Sequence, residues 1–336
     1  MSAKVLLVGG TQFIGHHIAS ALLSAGHRVA LLHRGQHKND LGPKAEEILC
    51  DWHDEKEMRE RLKKRSFDAV VHCICFTESE AALSYKLFAD RCAHFIYFST
   101  AAVYLMNPEV HPPYREEDAL REPAQSYLGS EKFSYGVNKR KTDLFFLLRH
   151  SRNGFPSTIL RLPVVVGPRD YTGRLAAYLH RVRDGKPVLM PDGGHNAWGF
   201  LAAEDIGQAV LGVMKNKKTH GKVYNLAQRE AISLRSLVLA LGRLTGNHPC
   251  LVDIPSIHLL KTRLGIGFSP LSSSHHVLLD CSAAQRDFGF TPTPFLSWLK
   301  GFTDAFKKDG GRDLFRSTRS LEVEVAQEFL KERFPY

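Results

Sequence analysis

The stretch KVLLVGGTQFIGHHIASALLSAG, residues 4–26, decides the fold. Its first five residues form a short aliphatic run of the kind that makes a strand buried on both faces. FIGHHIASALLSAG then has the composition of an apolar helix, and GGTQFIG (9–15) joins the two. A glycine-rich turn between strand and helix offers backbone N–H groups and the positive end of the helix dipole to an anion. Turns that cradle a dinucleotide pyrophosphate usually read G-x-x-G-x-x-G or G-x-G-x-x-G, with glycine wherever backbone must come close to phosphate or strand. Gly9 and Gly15 meet that requirement, whereas Gln12 takes the place of the middle glycine. With a strand before the turn and a helix after it, a pyrophosphate is the expected occupant.

Further runs of the same kind, RVALLH (28–33), EEILC (46–50), DAVVHCI (68–74) and HFIYFS (94–99), are separated by segments of helical periodicity. Continuous apolar strands alternating with helices predict an α/β fold, a Rossmann-type doubly wound parallel sheet covered on both faces. STILRLP (157–163) extends it. Later, Pro and Gly punctuate the chain, and helices are expected over 171–184, 204–216, 233–245 and 294–308, with a strand at VYNLA (223–227). The expected organisation is an NAD(P)-binding domain, 1–167, and a smaller mixed α/β substrate-binding lobe, 168–336. The two interleave, roughly 198–228 returning to the first. A last helix, SLEVEVAQEFLKERF, carries Leu321, Val325 and Phe329 every four residues, a packing stripe for the body or for a partner.

No apolar run approaches the about eighteen residues that a membrane helix needs. MSAKVLLVGG passes straight into a strand rather than through a secretory signal, so a cytoplasmic location is expected. The six cysteines form no pair of C-x-x-C motifs, which argues against a zinc site or a disulfide framework. Cys73 and Cys75 read as small buried hydrophobes in a strand. The net charge of +10 is unevenly placed, with 21 basic against 19 acidic residues over 1–160 and 24 against 16 over 161–336. That excess suits an anionic small molecule, a nucleic acid, or simply a solvated basic surface.

The end of the second strand chooses between cofactors. An Asp or Glu there serves the ribose 2′-hydroxyl of NAD, whereas a cation serves the 2′-phosphate of NADP. Here LLHRG supplies His33 and Arg34 and no acid, so NADP(H) is favoured over NAD(H), with Arg34 as the clamp and Gln12 a polar contact beside it. Asp51, after the third strand, is placed either to accept a hydrogen bond from the adenine amine or to shape a turn. In SYGVNKRKTD (134–143), Tyr135 and Lys139 stand four apart, side by side on one helix face. A phenol of pKa about 10 is a poor base at neutral pH, and an adjacent ammonium favours its phenolate. FSTAAVY adds the hydroxyls of Ser99, Thr100 and Tyr104 at the carboxyl end of the fifth strand.

These motifs resemble the extended short-chain dehydrogenase/reductase superfamily, the NAD-dependent epimerase/dehydratase type. The likeness runs from Lys4 to about Pro294 through GGTQFIG, DAVVHC, FSTAAVY, YGVNK, LRLPVVVGP, GFLAAEDIGQAV and LDCSAAQRDFGF. Within it, GGTQFIG looks most like the branch of chloroplast stem-loop-binding proteins and their bacterial relatives, which read GGTRFIG and close the second strand with NRG. The resemblance implies catalytic roles for Thr100, Tyr135 and Lys139. Tyr135 would exchange the substrate proton, Lys139 would hold the nicotinamide ribose and lower the phenol pKa, and Thr100 would hydrogen-bond the reacting oxygen. It implies cofactor contacts along Gly9, Gly10, Thr11, Gln12, Phe13, Ile14 and Gly15, and at His33, Arg34, Asp51, Cys73, Ser99, Lys139 and Pro163. Sugar-nucleotide epimerases of the superfamily grip the substrate pyrophosphate with an Asn and an Arg. Val164 and Trp198 stand there instead, which argues against a UDP- or dTDP-sugar. Tyr104, Arg169, Arg174 and Trp198 are the candidate substrate contacts.

The leading expectation is an NAD(P)-dependent oxidoreductase, epimerase or dehydratase acting on a hydroxy or keto compound, sugar-derived compounds among them, and working as a homodimer through the helix of Tyr135. Two alternatives stand beside it. One is an RNA-binding protein on a retained dinucleotide fold, the other a cofactor-sensing scaffold without turnover.

Overall fold

The computed structural model describes residues 2–128, 131–272, 275–311 and 313–333. In chain order its elements begin with β1 (Lys4–Val8), α1 (Phe13–Ser24), β2 (Arg28–His33), β3 (Ala45–Leu49), α2 (Glu55–Arg61), β4 (Ala69–His72), α3 (Glu78–Phe88), β5 (Phe95–Thr100), α4 (Ser134–Asn153) and β6 (Ser157–Leu162). There follow β7 (Val164–Val166), α5 (Arg174–Arg183), β8 (Val188–Pro191), β9 (Ala197–Trp198), β10 (Phe200–Ala202), α6 (Ala203–Met214) and β11 (Lys222–Asn225). The last are β12 (Ile232–Ser233), α7 (Leu234–Thr245), β13 (Leu251–Ile254), α8 (Ser256–Leu259), α9 (Ser282–Phe288), α10 (Phe295–Asp309) and α11 (Arg316–Arg333).

The chain divides into two units. The first comprises Met1–Val165, Leu201–Ala227 and Leu279–Pro292. The third of these segments is absent from the sequence-based division, because its helix α9 is only seven residues long and carries no periodicity that separates it from its surroundings. Seven strands form one sheet in the order β11-β6-β5-β4-β1-β2-β3, every pair parallel. Strand side chains alternate between faces. Val5 and Leu7 of β1 enter a layer with Ile18 and Leu22 of α1 and Ile206 and Val210 of α6. Leu6 and Val8 enter the other, with Met58, Leu87 and Phe146 of α2, α3 and α4. Both faces are covered, which is why the strands read as unbroken apolar runs. The strand order reverses between β1 and β4, and such a reversal opens a crevice at the carboxyl ends. GGTQFIG leaves one side of that crevice and Cys73–Phe76 the other.

The second unit comprises Val166–Phe200, Gln228–Leu278 and Thr293–Tyr336. It holds a parallel pair, β8 with β13, and an antiparallel pair, β9 with β12. Strands of two to four residues are too short for an alternation signal, so sequence patterning finds only the helices here. Leu189, Val252, Ile254, Leu259 and Phe268 form its core together with Val325 and Ala326 of α11, while Leu321 and Phe329 pack at the edge. The stripe on the last helix therefore packs on its own unit. A buried ion pair fixes that helix, Arg181 Nε lying 2.8 Å from Glu322 Oε2. Arg319 joins it by bridging Glu322 at 3.0 Å and Asp184 at 2.8 Å. Removing one member of such a buried pair strands the other charge away from water. Among the described residues no helix is long and apolar enough to cross a membrane.

At the amino end of the sheet, His94 is buried beside His220, ring centroids 4.3 Å apart. The Thr158 hydroxyl spends its proton on the Thr219 carbonyl at 2.8 Å, so it accepts from His94 Nε2–H at 2.8 Å. Burial above all, and His220 next, push the His94 pKa down to about 3. The imidazole is neutral in the folded chain, whereas the unfolded chain takes up a proton near pH 6.5. Stability from this site is therefore complete above about pH 6.5 and is lost as pH falls from there toward 3. Urea unfolding followed across that range is expected to show the decline, and His94→Gln, which keeps a donor for Thr158 without a titrating ring, is expected to reduce it, the remainder coming from other histidines whose pKa burial lowers, His72 and His220 among them.

Candidate active site

The turn after β1 is built on close contacts. Gly9 has φ +86°, and a Cβ there would lie 2.9 Å from Ile74 Cγ2. A Cβ on Gly15 would meet the Gly9 carbonyl oxygen at 2.2 Å and Gly10 Cα at 2.8 Å. Gly10 packs equally tightly, against Leu7 and Leu31. Thr11 is half-buried, and Ile14 packs against the layer under α1. Gln12 is extended and exposed, the first residue before α1; its carbonyl accepts from His16 N at 3.2 Å and its side chain makes no capping bond. The left-handed strain falls instead on Phe13, at φ +33° with its ring buried. No acid stands in the first turn of α1 to neutralise its positive end. The cradle is closed to side chains and open to an anion, which fits a pyrophosphate.

At the end of β2 the structure separates two neighbouring candidates. His33 is buried; its Nδ1 accepts from Gly35 N at 3.1 Å and its Nε2 lies 3.6 Å from Glu47. Its imidazole thus serves the turn. Arg34 projects outward, its side chain 58% accessible, with Nη1 4.0 Å from Asp51 Oδ2. Asp51 Oδ1 accepts from His53 N at 3.0 Å, and this bond holds the Asp51 carboxyl below the usual carboxylate range. His53 escaped the sequence reading. Its Nδ1 lies 2.9 Å from Asp51 Oδ1 and its Nε2 2.9 Å from Glu80 Oε1. Both nitrogens donate only in the imidazolium. Burial works to lower the His53 pKa, but the bonds to Glu80 and Asp51 outweigh it and raise the pKa. Trp52 beside it stands edge-on to the buried His72, centroids 4.5 Å apart, and burial drives the His72 pKa to about 3.

Lys139 is 2% exposed and donates from Nζ to Cys75 O at 2.8 Å and Phe98 O at 2.6 Å. Burial lowers its pKa to about 8 against the pull of Asp143. Tyr135, one turn earlier on α4, is 49% exposed. Gly136 lets the helix sit on the segment after β5, where a Cβ would lie 2.8 Å from Ala102 O. Helix α4 thus touches backbone two residues before Thr100, at Phe98, and two residues after it, at Ala102. The Thr100 hydroxyl accepts from Ala102 N at 3.2 Å, which leaves its proton to donate. Ser99 is buried, and its hydroxyl has no partner among the described residues. Burial holds the Cys73 thiol neutral, its pKa about 12. Pro163 is half-buried between β6 and β7.

Tyr104 lies buried in the first unit. Its hydroxyl is buried, donating to Asn225 Oδ1 at 2.6 Å and accepting from Arg161 Nη1 at 2.8 Å. Arg161 also pairs with Asp143 at 2.9 Å, and Glu116 Oε1 accepts from Asn225 N at 2.9 Å. No spacing pattern marks a network assembled from five distant segments. Arg169, Arg174 and Trp198 lie in the second unit. Arg169 is exposed at φ +68°, and Arg174 is exposed at the start of α5. Trp198 is half-buried in β9, its indole N–H without a partner among the described residues.

A sequence model of the NAD-dependent epimerase/dehydratase family matches residues 5–227. The chain is 25% identical over 328 residues to the chloroplast stem-loop binding protein of 41 kDa b of Arabidopsis thaliana, covering 93% of this chain and 81% of the relative. It is 24% identical over 280 residues to a UDP-N-acetyl-alpha-D-glucosaminuronate decarboxylase of Bacillus cytotoxicus, covering 76% and 84%. Among solved structures, a dTDP-glucose 4,6-dehydratase of Bacillus anthracis in complex with NAD shares the fold, with TM-score 0.71 and 16% identity over 92% of this chain and 97% of the other. The tightness of the first turn is directly testable. Gly15→Ala is expected to cost about 1–3 kcal/mol of stability and to abolish the rise in melting temperature on adding NAD(P)+; a variant that melts and responds like the wild type would contradict the close approach.

Proposed function

The chain belongs to the NAD-dependent epimerase/dehydratase family, and on that premise we propose that it oxidises or reduces a hydroxy or keto compound with Thr100, Tyr135 and Lys139 as its proton-handling set. A nicotinamide dinucleotide supplies the hydride exchange. The observation that carries the reading is the buried Lys139 ammonium, held on the Cys75 and Phe98 carbonyls one helical turn from Tyr135. A fixed positive charge there favours the tyrosine phenolate, the form that accepts a proton. Thr100 donates its free hydroxyl proton to the reacting oxygen and so fixes where the substrate C–O bond points. The glycine cradle would hold the pyrophosphate, and Arg34, the exposed cation at the end of β2, would take a 2′-phosphate.

The test has two arms. Titration is expected to show tighter binding of NADP(H) than NAD(H), with Arg34→Ala erasing the difference. Tyr135→Phe is expected to lower turnover of hydroxy or keto compounds, followed by nicotinamide absorbance, by about 100-fold or more with cofactor affinity nearly intact. Normal turnover in Tyr135→Phe would sink the proton set, and preference for NAD(H) would sink the Arg34 clamp.

RNA binding is a second reading, favoured by the likeness to the Arabidopsis stem-loop binding protein and by the basic excess over 161–336. It expects binding of structured RNA that weakens steeply with salt. No binding at low ionic strength would remove it.

A further inference from the structure

Phe76 is an exposed ring where burial would be ordinary. It is 43% accessible at the carboxyl end of the sheet and belongs to neither core layer. Its centroid lies 5.2 Å from Lys139 Nζ, and that of Tyr97 lies 4.4 Å from the same nitrogen. The ammonium is therefore bounded by two aromatic rings as well as by the Cys75 and Phe98 carbonyls. Ring faces attract a cation and exclude water from it at once.

The backbone that carries Phe76 is latched. Phe76 N donates to Glu80 Oε2 at 2.6 Å, and Thr77 N donates to the same oxygen at 2.9 Å. Thr77 Oγ1 accepts in return from Glu80 N at 3.3 Å, completing a capping box at the start of α3. The other Glu80 oxygen faces His53 Nε2 at 2.9 Å. A carboxylate bound on both oxygens has little freedom to let the loop go.

We propose that Phe76 is a positioning residue for Lys139: latched by Glu80, its ring joins that of Tyr97 in covering the ammonium and keeps it dry on its two carbonyls. The catalytic weight of Lys139 rests on the function proposed above, whereas the clamp itself does not. The charged and titratable groups around the ammonium are Asp143, Glu80, Cys73, Cys75 and His72, with Tyr97 against it and Tyr135 one helical turn away, and all of them stay in place when Phe76 is replaced.

The experiment follows Lys139 by NMR in protein carrying isotope-labelled lysine, its signal identified by loss in Lys139→Met, as pH is raised without ligand. A dry ammonium titrates well below a free lysine. Phe76→Ala lets water in, so the Lys139 titration is expected to climb by about one pH unit or more, while Phe76→Tyr, which keeps the ring, leaves it in place. Should Phe76→Ala fail to fold, Phe76→Val replaces it with the same expected direction. An unmoved Lys139 in the folded small-residue variant overturns the proposal, and so does an equal climb in Phe76→Tyr. Titration of the wild type with NAD+ and NADP+ is read separately: a Phe76-dependent shift without cofactor binding would sink the functional reading and leave the clamp standing.

Discussion

The approach of α1 to the carboxyl end of β1, with no room for a methyl group between Gly15 and the Gly9 carbonyl, sets the geometry on which the rest of the first unit depends. A helix seated this closely aims its first turn into the crevice beside β4 rather than over the sheet face. The central strand is then covered by α1 and α6 on one side and by α2, α3 and α4 on the other, which demands apolar residues at every position of β1 beyond Lys4. Binding surface and core thus share one constraint, because the contact that packs the helix also presents its N–H groups.

That constraint also explains how Gln12 is tolerated. The two glycines that backbone contact requires are present, and the middle position is extended with its side chain in water. A residue with φ −122° needs no glycine. The turn is paid for one residue later, at Phe13, whose left-handed backbone costs on the order of 1–2 kcal/mol. The buried Phe13 ring, edge-on to His17 at 6.3 Å, contributes packing that offsets this cost.

Charge buried in the first unit is concentrated around α4 and β6. Lys139 has carbonyls and rings for partners, while Arg161 has Asp143, the Tyr104 hydroxyl and the Glu116 carbonyl. Such groups lose hydration on folding, and pairing seldom returns more than was lost. What they secure is position: Arg161 and Asp143 tie α4 to the sheet one turn beyond Lys139, so the face bearing Tyr135 and Lys139 is held from its far end. The placement of that face therefore depends on residues a helical turn or more away from it.

The parallel sheet, the cradle and the shared face of Tyr135 and Lys139 were all legible in the sequence, because each rests on a local rule. A strand covered on both sides must be apolar throughout, a helix seated on a strand must begin with glycine at the contact, and residues four apart on a helix must be neighbours. The destination of individual polar side chains was not legible. His33 and Arg34 are adjacent in sequence, yet one turns in toward Gly35 and Glu47 and the other turns out to solvent. The partners of the Tyr104 hydroxyl, Arg161 and Asn225, lie 57 and 121 residues away. The link from Asp51 through His53 and Glu80 to Phe76 spans three loop ends that only the sheet brings together. Periodicity reports which face of an element is buried; which partner a buried or half-buried polar group finds there is a three-dimensional question, and only the tertiary structure decided it.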